Sequence, residues 1–111
     1  MQHTKQGSVD VLDVPGPLTK DTVNSFVESV QLHCYGQGQP RTVLNLQDTT
    51  LLDSCGLETL LNMRDEFESR GGSIKLASAN SLCWDILTIS GLIHEFEVFD
   101  TVNRAVGSFA H

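Results

Sequence analysis

Two kinds of apolar run alternate along this chain, and that alternation restricts its fold more than any other feature. Val9 to Val14, Arg41 to Leu46 and Ser73 to Ala77 are short stretches rich in β-branched and apolar residues, as buried strands are. Between them the apolar period changes. Val23, Phe26, Val27 and Val30 recur at i, i+3, i+4 and i+7, one stripe of a helix. Leu57, Leu60, Leu61 and Phe67 repeat that pattern, with Met63 and Arg64 at its margin. Leu82, Cys83, Ile86 and Leu87 form a third stripe, and Val102, Ala105, Val106 and Phe109 a fourth. Residues 2–6 read as a short edge strand turning at Gly7-Ser8, and residues 94–99 alternate as a short half-exposed strand would. Two strands followed by regular helix–strand alternation predict an α/β fold. The sheet is expected to be mostly parallel, with an N-terminal edge strand, right-handed crossovers and about four helices. A chain of 111 residues suits one domain, residues 1–111.

Punctuation agrees with the periods. Pro15-Gly16-Pro17 stops the first long strand. Thr19 is placed to cap the first helix, with Asp21 inside its first turn, where the helix dipole favours a carboxylate. Residues 36–40, Gly-Gln-Gly-Gln-Pro, form the clearest loop. Arg70-Gly71-Gly72 ends the second helix, Asn80 or Ser81 caps the third, Gly91 closes it, and Asp100 or Thr101 caps the fourth.

Composition excludes several functions. Fourteen acidic residues against seven basic ones give a net charge of −7, which would repel nucleic acid and anionic membrane surfaces. No apolar run approaches a membrane span, and the polar opening residues show no signal peptide. The three cysteines, 34, 55 and 83, make no disulfide framework and no metal pair, which suits reduced thiols and a cytoplasmic location. The four histidines stand singly, so no metal and no cofactor is expected. Trp84 lies beside the third stripe, where partial burial is expected.

The chemistry concentrates at Leu51-Leu52-Asp53-Ser54-Cys55-Gly56-Leu57, where a strand-like run passes into a helix. Leu51 and Leu52 are read as its anchors. As N-cap or N1, Ser54 would accept a backbone N–H, a contribution of about 1 kcal/mol. A hydroxyl flanked by Asp53, Cys55 and Gly56 also suits an exposed corner, which the glycine would let a partner's backbone approach closely. Cys55 is a conceivable nucleophile, although a cysteine at a packed helix start is more often a small buried residue. Ser54 lacks the Gly-x-Ser-x-Gly frame of a hydrolase, and no phosphate loop is present. Catalysis is not expected.

Val43-Leu44-Asn45-Leu46-Gln47-Asp48, then Leu52-Asp53-Ser54-Cys55-Gly56-Leu57 and Leu60-Leu61, resembles the signature of STAS domains, most closely the bacterial stand-alone anti-sigma factor antagonists. Gly16-Pro17-Leu18, Gly71-Gly72, Ser90-Gly91-Leu92 and Ala105 fall at matching places. The resemblance implies a regulator of transcription that works by partner switching. The unphosphorylated form binds an anti-sigma factor serine kinase and frees a sigma factor. Phosphorylation at Ser54 releases the complex, and a PP2C-type phosphatase resets it. Asp53, Cys55, Gly56, Leu57 and Glu58, with Thr19 and Asp21, are implied at or near the partner surface. Three places depart from the family pattern. Cys55 stands where a serine is common, Glu58 where a small residue is common, and Thr19 where an acidic residue is frequent, with Asp21 two places on. Two other readings remain at this point. One is a STAS scaffold of a signalling or transport complex that is never phosphorylated, and the other is a small enzyme or nucleotide binder using Cys55 or the acidic residues.

Overall fold

Successive residues of a strand point to opposite faces, and in the central strands of this protein both faces are buried. The computed structural model describes residues 1–36 and 38–109. Its main sheet has the order β1-β2-β4-β6-β7, with β1 at His3–Gln6, β2 at Val9–Asp13, β4 at Arg41–Asn45, β6 at Ser73–Ala77 and β7 at Val98–Phe99. β1 pairs antiparallel with β2, and the other pairings are parallel. Leu12, Leu44 and Leu76 stand in register on one face. They join the larger core with Phe26, Leu60 and Phe67. Those side chains come from α1 (Val23–Cys34) and α2 (Ser54–Ser69), and α3 (Ser81–Ser90) adds Cys83 and Leu87. Val9, Val11, Val43 and Ala77 form a smaller cluster with Ala105 of α4 (Val102–Gly107). The described residues form a single α/β domain with four α-helices on a mostly parallel sheet, as the alternation predicts.

Several boundaries follow the sequence closely. β6 spans the expected residues. Asn80 caps α3 by accepting the Cys83 N–H, Thr101 caps α4 by accepting the Arg104 N–H, and Gly91 ends α3 in the left-handed region at φ 82°. Gln37, within the expected loop of residues 36–40, lies outside the described residues.

Other expectations need correction. Pro15-Gly16-Pro17 ends β2 but does not end strand structure. Gly16–Leu18 continues as β3 and pairs parallel with β5 (Thr49–Leu52) in a separate two-stranded sheet. Proline is tolerated there because a strand with one neighbour does not need every N–H. Thr19 is not the α1 cap. The cap position is Thr22, and the hydrogen bond runs the other way, from the Thr19 N–H to Thr22 Oγ1 at 2.9 Å. Asp21 therefore lies in the turn before the helix rather than inside its first turn. Leu51 does not anchor the following corner. In β5 Thr49 and Leu52 are buried, while Leu51 is 45% exposed. Leu82 likewise faces outward at 47%, and Trp84 is exposed to a similar extent. Residues 94–99 form no continuous strand. A 3-10 turn at Leu92–His94 precedes the two-residue β7. Phe96 is still buried, so the alternation in that stretch reports side-chain direction without a full ladder.

Candidate functional site

Ser54 follows directly from the way β5 ends. Leu52 is buried, Asp53 turns the chain, and α2 begins at Ser54. The cap is Asp53, not Ser54. Asp53 Oδ1 accepts the Gly56 N–H at 2.8 Å, and its backbone carbonyl accepts the Leu57 N–H at 2.9 Å. The second carboxylate oxygen accepts the Lys20 N–H at 3.0 Å, from a residue 33 positions away. One side chain thus joins the α2 N-terminus to the turn between β3 and α1. The Gly56 N–H above all, assisted by the Lys20 N–H and the Lys20 charge, holds the Asp53 carboxyl below the usual carboxylate range. Asp53 is kept anionic by donors that it already uses.

Ser54 is left free by this division of labour. Its side chain is exposed, and among the described residues no hydrogen bond engages its hydroxyl. Cys55 is also exposed, which sets aside the buried-cysteine alternative and leaves it on the exposed corner. Glu58 is exposed one turn further along the helix, and Leu57 is half-buried against the core. Thr19 is half-buried and Asp21 exposed in the turn that Asp53 holds through Lys20. Gly56 does not belong to the exposed corner. It is buried against β3, and a Cβ there would meet the Leu18 backbone. The glycine lets α2 approach this protein's own strand, not a partner.

The structure therefore brings Asp53, Ser54, Cys55 and Glu58 together with the Thr19–Asp21 turn, and it moves Gly56 inside. Sequence reading missed Lys20 and the contact that Leu18 makes with Gly56. No local signal marks either role, because both residues act through contacts across more than thirty positions. The site's support extends to α3. Asn80 Nδ2 donates to the carbonyls of Gln47 at 3.0 Å and Thr49 at 2.7 Å, fixing the turn from which β5 starts. Among the described residues, no group of three or more His, Cys, Asp or Glu side chains is placed to hold a metal ion. No helix among them is long and apolar enough to cross a membrane.

The domain is thus mostly parallel α/β, with an exposed serine directly behind an aspartate cap. The family model of the STAS domain matches residues 1–105, and the chain belongs to that family. No curated protein matches the sequence. Solved structures share the fold. A protein from Thermotoga maritima assigned as an anti-sigma factor antagonist is 22% identical, with a TM-score of 0.87 over 96% of this chain and 92% of its own. The anti-sigma factor antagonist SpoIIAA in its unphosphorylated form is 18% identical, with a TM-score of 0.76 over 97% and 94%. The STAS domain of a SulP transporter from Vibrio cholerae is 22% identical, with a TM-score of 0.72 over 95% and 83%. At these identities the likeness establishes the fold.

Proposed function

We propose that this protein is an anti-sigma factor antagonist switched by phosphorylation of Ser54. Unphosphorylated, it binds an anti-sigma factor serine kinase and so frees a sigma factor for transcription. Phosphorylated, it leaves the complex, and a PP2C-type phosphatase restores it. The observation that carries this reading is the separation of roles at the α2 N-terminus. Asp53 does the capping, so the Ser54 hydroxyl is exposed without a structural task. The likeness to antagonist structures supports it.

The transfer is ordinary phosphoryl chemistry. Ser54 Oγ forms a bond to the γ-phosphorus of ATP, the bond to the bridging oxygen breaks, ADP leaves, and the hydroxyl proton passes to a base of the kinase. The product carries a charge of about −1.5 to −2 at pH 7. It sits beside Asp53, with Asp21 and Glu58 on the same proposed surface. A partner shaped for a neutral hydroxyl would have to desolvate that dianion or clash with it. At the start of a sixteen-residue helix the phosphate meets free N–H groups and the positive dipole end, so the fold itself is expected to persist. Asp53, Cys55, Leu57, Glu58, Thr19 and Asp21 form the proposed contact surface, and Gly56 contributes by seating α2.

Calorimetry with the cognate kinase tests the switch. Ser54→Ala is expected to bind like the parent protein, and Ser54→Asp at least tenfold more weakly. Equal affinity of the two variants would remove the charge mechanism. The likeness to a transporter STAS domain favours a second reading, a scaffold subunit that is never phosphorylated. The intact mass of protein purified from its own cells under several growth conditions separates the two. A species heavier by one phosphate favours the switch, and its absence in every condition favours the scaffold.

A further inference from the structure

The amino-terminal ends of the parallel strands lie at the end of the sheet away from Ser54, and they line an open, unused cavity. Its volume is about 250 Å³, roughly that of eight water molecules. It lies between the Gly7-Ser8 turn, the first residues of β2 and β4, and the end of α4. Val9, Val106 and Phe109 give it apolar walls, and Arg41 lines it beside them. The only polar partner of the Arg41 side chain among the described residues is Ser8 Oγ, 3.2 Å from Nη1. Among the described residues Lys5, Arg64, Arg70 and Lys75 each lie within 4.0 Å of a carboxylate, whereas Arg41, like Lys20 and Arg104, does not, and of these three only Arg41 lines a cavity with apolar walls. A guanidinium presents five N–H donors in a planar fork that matches a carboxylate. Here most of that fork is unused, next to side chains that favour hydrocarbon.

We propose that this cavity binds a small amphipathic carboxylate. The acid group pairs with Arg41, and the alkyl or aryl body rests on Val9, Val106 and Phe109. A bare phosphate would satisfy Arg41 but leave the apolar walls wet, and a neutral alcohol would fill the walls but leave the guanidinium unpaired. The site is separate from Ser54 and does not depend on its phosphorylation.

The test is an amide NMR titration of the full chain with hexanoate, hexan-1-ol and inorganic phosphate. Hexanoate is expected to give saturable shifts at Gly7, Ser8, Val9, Arg41, Val106 and Phe109, with the alcohol and phosphate at least tenfold weaker. Arg41→Met, which keeps the apolar stem, is expected to weaken hexanoate at least tenfold and leave hexan-1-ol unchanged. Arg41→Lys, which keeps the charge without the fork, is expected to fall between and serves if Arg41→Met does not fold. Absence of saturation, shifts centred elsewhere, equal binding of the three probes, or an unchanged hexanoate affinity in the Arg41 variants would each overturn the proposal.

Discussion

Replacing Gly56 with alanine isolates the contact on which the position of Ser54 depends. Glycine costs a helix about 1 kcal/mol relative to alanine, so propensity alone makes Gly56→Ala stabilising. The structure reverses that sign. The added Cβ would lie 3.1 Å from the carbonyl carbon of Leu18 and 3.4 Å from its Cγ, and closer still to its carbonyl oxygen. The obstacle is backbone, which cannot swing aside as a side-chain end can. It is also held in place, because Leu18 O accepts the Asp53 N–H at 3.4 Å and Asp53 in turn holds the Lys20 N–H. Overpacking of this kind costs about 1–3 kcal/mol and more where the backbone must move. Against the propensity gain, a net loss of about 2 kcal/mol is expected, a fall in Tm of roughly 8 °C for a domain of this size. Gly107→Ala is the control. That glycine closes α4 with nothing within 4 Å of its Cβ position, so alanine there should gain about 0.4–1 kcal/mol. Urea and thermal unfolding of both variants measure the difference. A Gly56→Ala protein as stable as its parent would refute the claim that close approach to Leu18 requires the glycine.

Further outcomes follow from the same geometry. Ser54→Ala should change stability by less than about 0.5 kcal/mol, as expected of a surface change that removes no cap; a loss above 1 kcal/mol in urea unfolding would return the capping role to Ser54. Asn80→Ala removes the α3 cap and leaves the Gln47 and Thr49 carbonyls without their donor, so a loss of about 2–3 kcal/mol is expected, and a loss below 1 would show that water replaces it. The folded-state pKa of Asp53 lies below its unfolded value of about 3.9. Its contribution to stability is therefore complete above that pH and is lost as pH falls through the folded value. Asp53→Asn keeps an acceptor for Gly56 and should flatten the acid limb of the stability–pH curve; identical acid limbs would show that Asp53 does not contribute to it.

The layers of this fold are legible in sequence because strand alternation and helix stripes report burial directly. Ser73–Ala77 illustrates the first and Phe26 with Val30 the second. Terminators with a definite backbone demand, such as Gly91 and the Asn80 cap, are legible for the same local reason. The β3–β5 pair is not. Three residues containing proline carry no strand signal of their own, and the pairing is held by tertiary contacts, with Leu18 fully buried beside Leu52 and the Gly16 N–H donating to the Asp48 carbonyl. Leu51 and Leu82 show the limit of reading hydrophobicity without direction, since each precedes a buried residue in its own element and points outward. At the site, the serine and its aspartate were visible, but their roles were not separable. Asp53 and Ser54 are both good caps, and only the positions of the Gly56 and Lys20 N–H groups assign the task to Asp53. The glycine's purpose was likewise hidden, because Leu18 lies 38 positions before it.

Incubation with a partner anti-sigma kinase and ATP, followed by mapping of the modified residue by mass spectrometry, tests the central claim most directly. One phosphate on Ser54, absent from Ser54→Ala, is the expected result. Phosphate on another residue, or an unmodified chain in a stable complex with an active kinase, would contradict it.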